Sequence, residues 1–228
     1  MRPPLIVITG TGTEIGKTHL ARSVLMRWGR SVRCCGLKPV ETGVAIGEEG
    51  ADARDLRLAS TFHVKQPVPP YAFPRPVSPH LAARETGGLI DVDRVVSWVS
   101  VAAAGSAGVL VELAGGLFSP LAPGLTNADV VHALHPDVAI LVAPDRLGVL
   151  HDVAAATRAA DHSRVRLTAI ALTAPAQSDA STGTNALELC MITDLPLVGV
   201  LPRGEPDALA DHPAIMAIVE ILARPRGE

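Results

Sequence analysis

Short apolar runs alternate with helix-length segments along most of the chain, and no other feature restricts the possible folds as strongly. The runs are residues 5–9, 32–38, 108–112, 137–144, 166–173 and 196–202, and the segments between them are 17–30, 91–104, 126–134, 147–160 and 184–191. Runs without polar alternation are typical of strands that are buried on both faces. Strands that alternate with helices pair in parallel through right-handed crossovers. The sequence therefore predicts an α/β fold with a mostly parallel sheet and helices on both faces.

The composition fits one large α/β domain that spans residues 1–228. Hydrophobic residues make up 48% of the chain and aromatic residues only 3%, so the core has to consist mainly of aliphatic side chains. Such side chains suit buried parallel strands better than a Trp-centred β-sandwich. Because no linker or internal repeat divides the chain, we predict a single domain.

The segment 43–88 interrupts the alternation and shows no clear strand. Six prolines lie between Val64 and His80. Since proline removes an amide donor and fixes φ, we predict an inserted loop here rather than sheet. Long loops at the carboxyl edge of a parallel sheet commonly carry binding residues, so we expect this insertion on the substrate and metal side of a site.

Charge and hydropathy argue against two classes of partner. The chain has 20 basic and 23 acidic residues and a net charge of −3, which predicts no nucleic-acid binding. The longest uncharged stretch, 95–111, is broken by glycines and falls short of the roughly 20 residues of a membrane-spanning helix. The N-terminal apolar run is too short for a secretory signal, and three cysteines give neither a disulfide framework nor metal-ligand spacing. We expect a cytoplasmic protein without a membrane segment.

A glycine-rich sequence, GTGTEIGKT at 10–18, follows the first apolar run and precedes a helical segment. Glycines allow backbone amides to surround phosphate oxygens, and the helix adds the positive end of its dipole. Lys17 supplies a point charge for the β- and γ-phosphates and Thr18 a ligand for Mg²⁺. Gly10 lies one position further from Gly16 than in the common pattern, so a glycine-rich turn without a ligand is the alternative. The strand-to-helix context favours a site for ATP or GTP.

Charged residues at the ends of the predicted strands complete this candidate site. Glu112 ends the run 108–112, where a carboxylate would reach Mg²⁺ beside the phosphates. Asp52 and Asp55 lie at the start of a probable helix, either as metal ligands or merely as N-cap or first-turn acids, and their spacing does not decide between these roles or between the two residues. Lys38 ends the second run, either as a ligand for a γ-phosphate or substrate carboxylate or as a solvated strand-end lysine.

Four motifs occur together in one order: GTGTEIGKT at 10–18, KPVETG at 38–43, RPVSPH at 75–80 and VELAGG at 111–116. They resemble the phosphate loop, including its longer glycine spacing, and the KPV-x-[ST]-G, P-x-SPH and VEGAGG segments of the dethiobiotin synthetases of biotin biosynthesis. The resemblance extends over most of the chain. It implies a fold of the P-loop NTPase type and a homodimer.

The resemblance also implies a reaction in which 7,8-diaminononanoate, CO₂ and MgATP give dethiobiotin, ADP and phosphate through a carbamate and a carbamic-phosphoric anhydride. It implies these site residues: catalytic Thr13, Lys17, Lys38 and Thr42; nucleotide-binding Gly12, Thr13, Glu14, Ile15, Gly16, Lys17, Thr18 and Thr173; substrate-binding Thr42, Ser78 and Leu117; and Mg²⁺-binding Thr18, Asp52 and Glu112.

Three positions depart from the family pattern. Leu113 replaces the first glycine of VEGAGG, His151 replaces the asparagine of LG-x-INH, and Thr173 stands where the family often has an asparagine that reads adenine. The base preference therefore stays open, and so do two other functions. The first is a nucleotide-binding paralogue with weak catalysis. The second is a partitioning-type ATPase switch, which the lack of an early loop lysine and of a basic amphipathic tail disfavours.

Overall fold

The computed structural model describes residues 2–63 and 68–223. The strands are β1 (Leu5–Gly10), β2 (Cys34–Leu37), β3 (Val40–Thr42), β4 (Tyr71–Phe73), β5 (Gly108–Glu112), β6 (Pro120–Ala122), β7 (Leu125–Thr126), β8 (Val138–Pro144), β9 (Ala169–Thr173) and β10 (Leu197–Leu201). The α-helices are α1 (Lys17–Trp28), α2 (Ala51–Ala59), α3 (Pro79–Glu85), α4 (Val92–Ala102), α5 (Asn127–Leu134), α6 (Val149–His162), α7 (Asn185–Glu188) and α8 (Pro213–Ala223).

The predicted parallel sheet is confirmed. Six strands pair in the order β10-β9-β8-β1-β5-β2, and every pairing is parallel. Ile6 and Ile8 of β1 pack with α1, α2 and α8 on one face, whereas Leu5 and Val7 pack with α4, α5 and α6 on the other. The apolar runs lack polar alternation because helices cover both faces of the sheet.

The prediction that the segment 43–88 contains no sheet is wrong at one point. Strand β4 pairs in parallel with β3 and forms a separate two-stranded sheet. Pro70 and Pro74 flank β4, so the proline-rich stretch leaves just enough free amides for a strand of three residues. Tyr71 and Phe73 are buried. With α2 and α3 the segment is therefore largely folded, although residues 64–67 of the proline-rich stretch lie outside the described residues.

Two further elements differ from the prediction. The segment 184–191 forms a single α-helical turn, α7, followed by a 3₁₀ turn at Leu189–Met191 rather than one continuous helix. The short hairpin of β6 and β7 was not predicted. The final helix, α8, is described up to Ala223, and residues 224–228 lie outside the described residues.

The longest uncharged stretch divides as predicted. Its first half completes α4 and its second half contains β5, with Gly105 at φ 89° between them. Within residues 2–63 and 68–223, no helix combines the length and the apolar character needed to cross a bilayer.

Candidate functional site

The parallel register brings three strand ends to one edge of the sheet. Ile8 of β1 lies opposite Glu112 of β5, and Leu37 of β2 lies opposite Val111 of β5. The glycine-rich loop after β1, Glu112 at the end of β5 and Lys38 directly after β2 are therefore neighbours. This edge is where open parallel sheets bind ligands.

The loop between β1 and α1, called here the phosphate loop (residues 10–18), has the geometry of an anion site. A Cβ on Gly10 would lie 2.4 Å from Ile15 Cδ1 and 2.9 Å from the Val142 carbonyl oxygen, so only glycine fits. Glu14 and Gly16 adopt positive φ values of 57° and 85°. The backbone amides of residues 12–16 donate to no acceptor in the described part of the chain. These free amides at a helix N-terminus can bind phosphate oxygens.

Lys17 is held over this loop. Its Nζ donates to the Gly12 carbonyl oxygen at 2.6 Å, and the side chain is buried. Burial and then the nearby Lys38 ammonium lower the pKa of Lys17 to about 8, although Glu112 and Asp52 act in the opposite direction. An anionic phosphate in the loop would favour the charged form of this lysine.

We expect nucleotide affinity to fall as the pH rises through about 8, the pKa of Lys17 in the ligand-free protein. Bound phosphates favour the ammonium, so binding above this pH requires Lys17 to take up a proton, and the Kd of ADP rises by up to about tenfold per pH unit. Calorimetric titrations with ADP on both sides of this pH measure the effect. The Lys17→Met variant serves as control, since its weaker binding lacks this dependence. An affinity that stays constant in the wild type would contradict the prediction.

Two carboxylates, one hydroxyl and one lysine converge beside the phosphate loop. The Thr18 hydroxyl lies 2.9 Å from Glu112 Oε1 and 3.0 Å from Asp52 Oδ1. Lys38 Nζ lies 2.6 Å from Glu112 Oε1 and 2.8 Å from Asp52 Oδ2. Asp55 instead pairs with Arg22 at 3.1 Å. The structure therefore brings Asp52, and not Asp55, to the cluster.

The charges of this cluster stabilise one another. Burial works against the Lys38 ammonium, but Glu112 and Asp52 outweigh it and raise the pKa of Lys38. Burial would likewise raise the pKa of Asp52, but Lys38 outweighs it and lowers that pKa. Glu112 is 1% exposed, and its Oε2 has no hydrogen-bond partner among the described residues. A buried carboxylate oxygen without a partner is a free ligand position for a cation.

Two clefts meet at the phosphate loop. One, of about 630 Å³, includes the charged cluster and is called here the substrate-side cleft. The other, of about 610 Å³, is called the base-side cleft. The residues that line both are Thr13, Glu14, Ile15, Gly16 and His19. A nucleotide whose phosphates occupy the loop can therefore place its terminal phosphate in the substrate-side cleft and its base in the other.

The predicted substrate residues fall into two groups. Thr42 and Ser78 line the substrate-side cleft, and Ser78 Oγ lies 2.7 Å from His80 Nδ1. Leu117 does not line this cleft. Its side chain is 1% exposed and packs in the core, and its amide donates to the Gly10 carbonyl oxygen at 2.8 Å. The structure thus places Leu117 as a support for the start of the phosphate loop.

Thr173 lines the base-side cleft, but its hydroxyl donates to the Ile15 carbonyl oxygen at 2.7 Å. That bond attaches β9 to the phosphate loop and uses the only proton that the hydroxyl can donate to a base. Arg146 and Arg203 also line this cleft and were missed in the sequence. Arg146 follows β8 by two positions and Arg203 follows β10 by two. Both arginines come shortly after a predicted strand, and this position at the carboxyl edge of the sheet could have indicated them as binding residues.

The two remaining departures from the family pattern are accommodated without visible strain. Leu113 is 2% exposed in the core, and its φ is not positive, so a side chain is compatible with the backbone. The residue that needs a positive φ in this turn is Gly115, at 72°. His151 is exposed in the first turn of α6.

We expect Leu113→Ala to reduce the free energy of unfolding by about 2–5 kcal/mol, because it removes a buried leucine from the core. A chemical denaturation curve measures the loss. Leu58→Ala is the matched control, since Leu58 is 63% exposed, and its effect should stay within about 0.5 kcal/mol. Equal stability of the Leu113 variant and the wild type would contradict the packing described for this residue.

The comparisons with known proteins agree with this geometry. A family model described as an AAA domain matches residues 5–206. The chain is 36% identical over 207 residues to the ATP-dependent dethiobiotin synthetase BioD of Anaeromyxobacter dehalogenans strain 2CP-C, a match that covers 89% of this chain and 91% of that protein. It is 33% identical over 225 residues to the BioD of Ralstonia nicotianae, with 95% and 96% covered.

Solved structures agree in fold. The MinC:MinD cell division protein complex of Aquifex aeolicus contains a chain with a TM-score of 0.58 and 13% identity, and the match covers 99% of this chain and 98% of that one. The ParA family ATPase from Chlorobium tepidum gives a TM-score of 0.56 at 13% identity, with 97% and 91% covered. At this identity the similarity establishes the P-loop NTPase type of fold and nothing more.

Proposed function

Since this chain belongs to the family of ATP-dependent dethiobiotin synthetases, we propose that it converts 7,8-diaminononanoate, CO₂ and ATP into dethiobiotin, ADP and phosphate. One observation supports this proposal most directly. Lys17, Lys38 and the carboxylates of Asp52 and Glu112 converge at the phosphate loop, where the two clefts meet. A reaction between the end of a nucleotide and a second anion needs this arrangement of charge.

The chemistry requires no nucleophile from the protein. One substrate amine adds to CO₂ and forms a carbamate, whose oxygen attacks the γ-phosphorus while ADP leaves with the electrons of the broken P–O bond. The second amine attacks the carbonyl carbon of the resulting anhydride, and phosphate leaves as the cyclic urea forms. The protein therefore contributes by holding two anions in line and by stabilising the charge that develops between them.

Four residues are proposed to perform this task. Lys17 and Lys38 line the substrate-side cleft, and their ammonium groups offset the repulsion between the γ-phosphate and the carbamate. Thr13 and Thr42 line the same cleft and offer hydroxyl donors to these anions. Ser78 is exposed and lines the same cleft, and we propose that it contacts the substrate chain.

We further propose that Thr18, Asp52 and Glu112 hold Mg²⁺, which neutralises charge on the nucleotide phosphates when it is bound. Hard oxygen donors suit this ion, and the unpartnered Oε2 of buried Glu112 fits such a role. No group of three or more His, Cys, Asp or Glu that could hold a metal forms within the described residues. That result agrees with an ion that takes its remaining ligands from phosphates and water.

The proposal is tested by incubating the purified protein with diaminononanoate, bicarbonate, Mg²⁺ and a nucleotide and measuring both phosphate and dethiobiotin. The expected result is equimolar formation of the two products that depends on the diamine. Parallel reactions with ATP, GTP and CTP determine the base preference. Nucleotide binding without diamine-dependent phosphate release would instead support a catalytically weak paralogue. Hydrolysis that responds to lipid or DNA and ignores the diamine would support an ATPase switch.

We also propose the homodimer that the resemblance to the dethiobiotin synthetases implies and the cytoplasmic location that is expected from the sequence. Light scattering on a size-exclusion column tests the first, with a mass of twice 23.7 kDa as the expected result. Cell fractionation tests the second.

A further inference from the structure

Glu41 is a buried acid whose carboxylate caps α2, a helix that begins ten residues later in the chain. It lies in β3 and is 6% exposed. Its Oε1 accepts the backbone amide of Asp52 at 2.9 Å, and its Oε2 accepts that of Ala53 at 3.1 Å. These amides belong to the first turn of α2, whose N–H groups have no acceptor within the helix.

The residues next to α2 are adapted to this contact. Gly50, the N-cap of α2, provides no side-chain acceptor, so Glu41 takes that role from another element. The backbone of Gly50 has φ −62°, which any residue can adopt. A Cβ at this position, however, would lie 2.1 Å and 2.6 Å from the two carboxylate oxygens of Glu41. Glycine is needed here for space and not for conformation.

The same helical turn carries Asp52. The side chain of Asp52 is 39% exposed at the cleft, and it contacts Lys38 and Thr18. A partly exposed carboxylate on the first turn of a short helix is easily misplaced unless that turn is fixed. The bonds from Glu41 fix the backbone at Asp52 itself and at the next residue.

We propose that Glu41 is a positioning residue that sets the first turn of α2 and thereby aims Asp52 at the cation beside the nucleotide phosphates. The proposal rests on the function proposed above, since it assumes that a divalent cation binds there. Groups that orient a metal ligand typically change metal affinity by about 10–100-fold when they are replaced.

Two variants break the contact from opposite sides. Glu41→Gln replaces one acceptor oxygen by an NH₂ group that faces an amide, and Gly50→Ala places a methyl group against the carboxylate. Each should weaken Mn²⁺ binding to the protein–ADP complex by roughly tenfold or more, as measured by the electron paramagnetic resonance of free Mn²⁺. The double variant should be little worse than either single one, because both remove the same contact.

The matched control is Glu49→Gln, which removes an exposed acid beside the same helix. Glu49 pairs with Arg57 at 2.7 Å and does not line the cleft. Its Mn²⁺ affinity should equal that of the wild type. Thermal unfolding of all four variants reports whether they fold. If Glu41→Gln does not fold, the Gly50→Ala variant still tests the proposal.

Two results would overturn the proposal. One is a folded Glu41 or Gly50 variant that binds Mn²⁺ with wild-type affinity; if its thermal stability is lower, Glu41 is a structural cap only. The other is a wild-type protein that binds no Mn²⁺ with ADP. A wild type that binds Mn²⁺ and ADP but forms no dethiobiotin would refute only the proposed synthetase activity, and the comparison of variants would still decide the role of Glu41.

Discussion

Replacing Lys17 by alanine is expected to lower turnover by at least roughly 10²-fold, the scale of losing one preorganised electrostatic stabiliser. Lys17 Nζ is fixed by the Gly12 carbonyl oxygen and interacts electrostatically with the charged cluster. Water that enters in its place reorients and stabilises the transferring phosphoryl group less well. Diamine-dependent phosphate release measures the effect.

The control for this prediction is Arg27→Ala, which removes a cation from the same helix. Arg27 pairs with exposed Asp211 at 2.7 Å, away from both clefts. Its turnover should be close to that of the wild type. The Lys17 variant should remain folded, because burial and the nearby Lys38 disfavour the charge that is removed. Unchanged turnover in Lys17→Ala would exclude Lys17 from the mechanism.

Local patterns in the sequence were sufficient to predict the sheet and the phosphate loop. The apolar runs indicate strands because helices cover both faces of the sheet. Side chains on either face of such a strand therefore pack against helices, which favours apolar residues at successive positions. Lys17 and Thr18 follow from their place at a strand-to-helix junction. Glu112 and Lys38 were found because parallel strands end at one edge, so a strand-end position alone predicts proximity.

The contacts that the sequence did not reveal join separate elements of the fold, so no local pattern marks them. The choice between Asp52 and Asp55 depends on the rotation of α2, which Glu41 fixes from β3. The hydroxyl of Thr173 is used by the loop carbonyl of Ile15, 158 positions earlier. The strand β4 was missed because the prolines on either side of it dominate the local pattern, whereas its pairing with β3 is a tertiary interaction.

Lys38 lies between the two carboxylates that are proposed to bind the divalent cation. Its Nζ lies 2.6 Å from Glu112 and 2.8 Å from Asp52, and its side chain is 3% exposed. Without a bound cation, this lysine offsets part of the negative charge of the two carboxylates. A bound cation would take over the carboxylates and leave the ammonium free to face the anionic substrates.

We expect Lys38→Met to lower turnover and to enlarge the increase in Tm that Mn²⁺ causes. Turnover should fall by at least roughly 10²-fold, since a cation that faces both reacting anions is lost. Without metal, the variant should lose about 3–5 kcal/mol of stability, because the buried Glu112 side chain loses the ammonium that pairs with it. A divalent cation can then bind this carboxylate without displacing a lysine, so added Mn²⁺ should raise the Tm of the variant more than that of the wild type.

Thermal unfolding with and without Mn²⁺ measures the second change, and diamine-dependent phosphate release measures the first. Arg57→Met is the control, since it breaks the more exposed pair with Glu49 and should alter neither measurement appreciably. If Mn²⁺ raised the Tm of Lys38→Met no more than that of the wild type, Lys38 would not compete with the cation. The two carboxylates would then have to bind their ion without releasing this lysine, and its contribution to turnover would need another explanation.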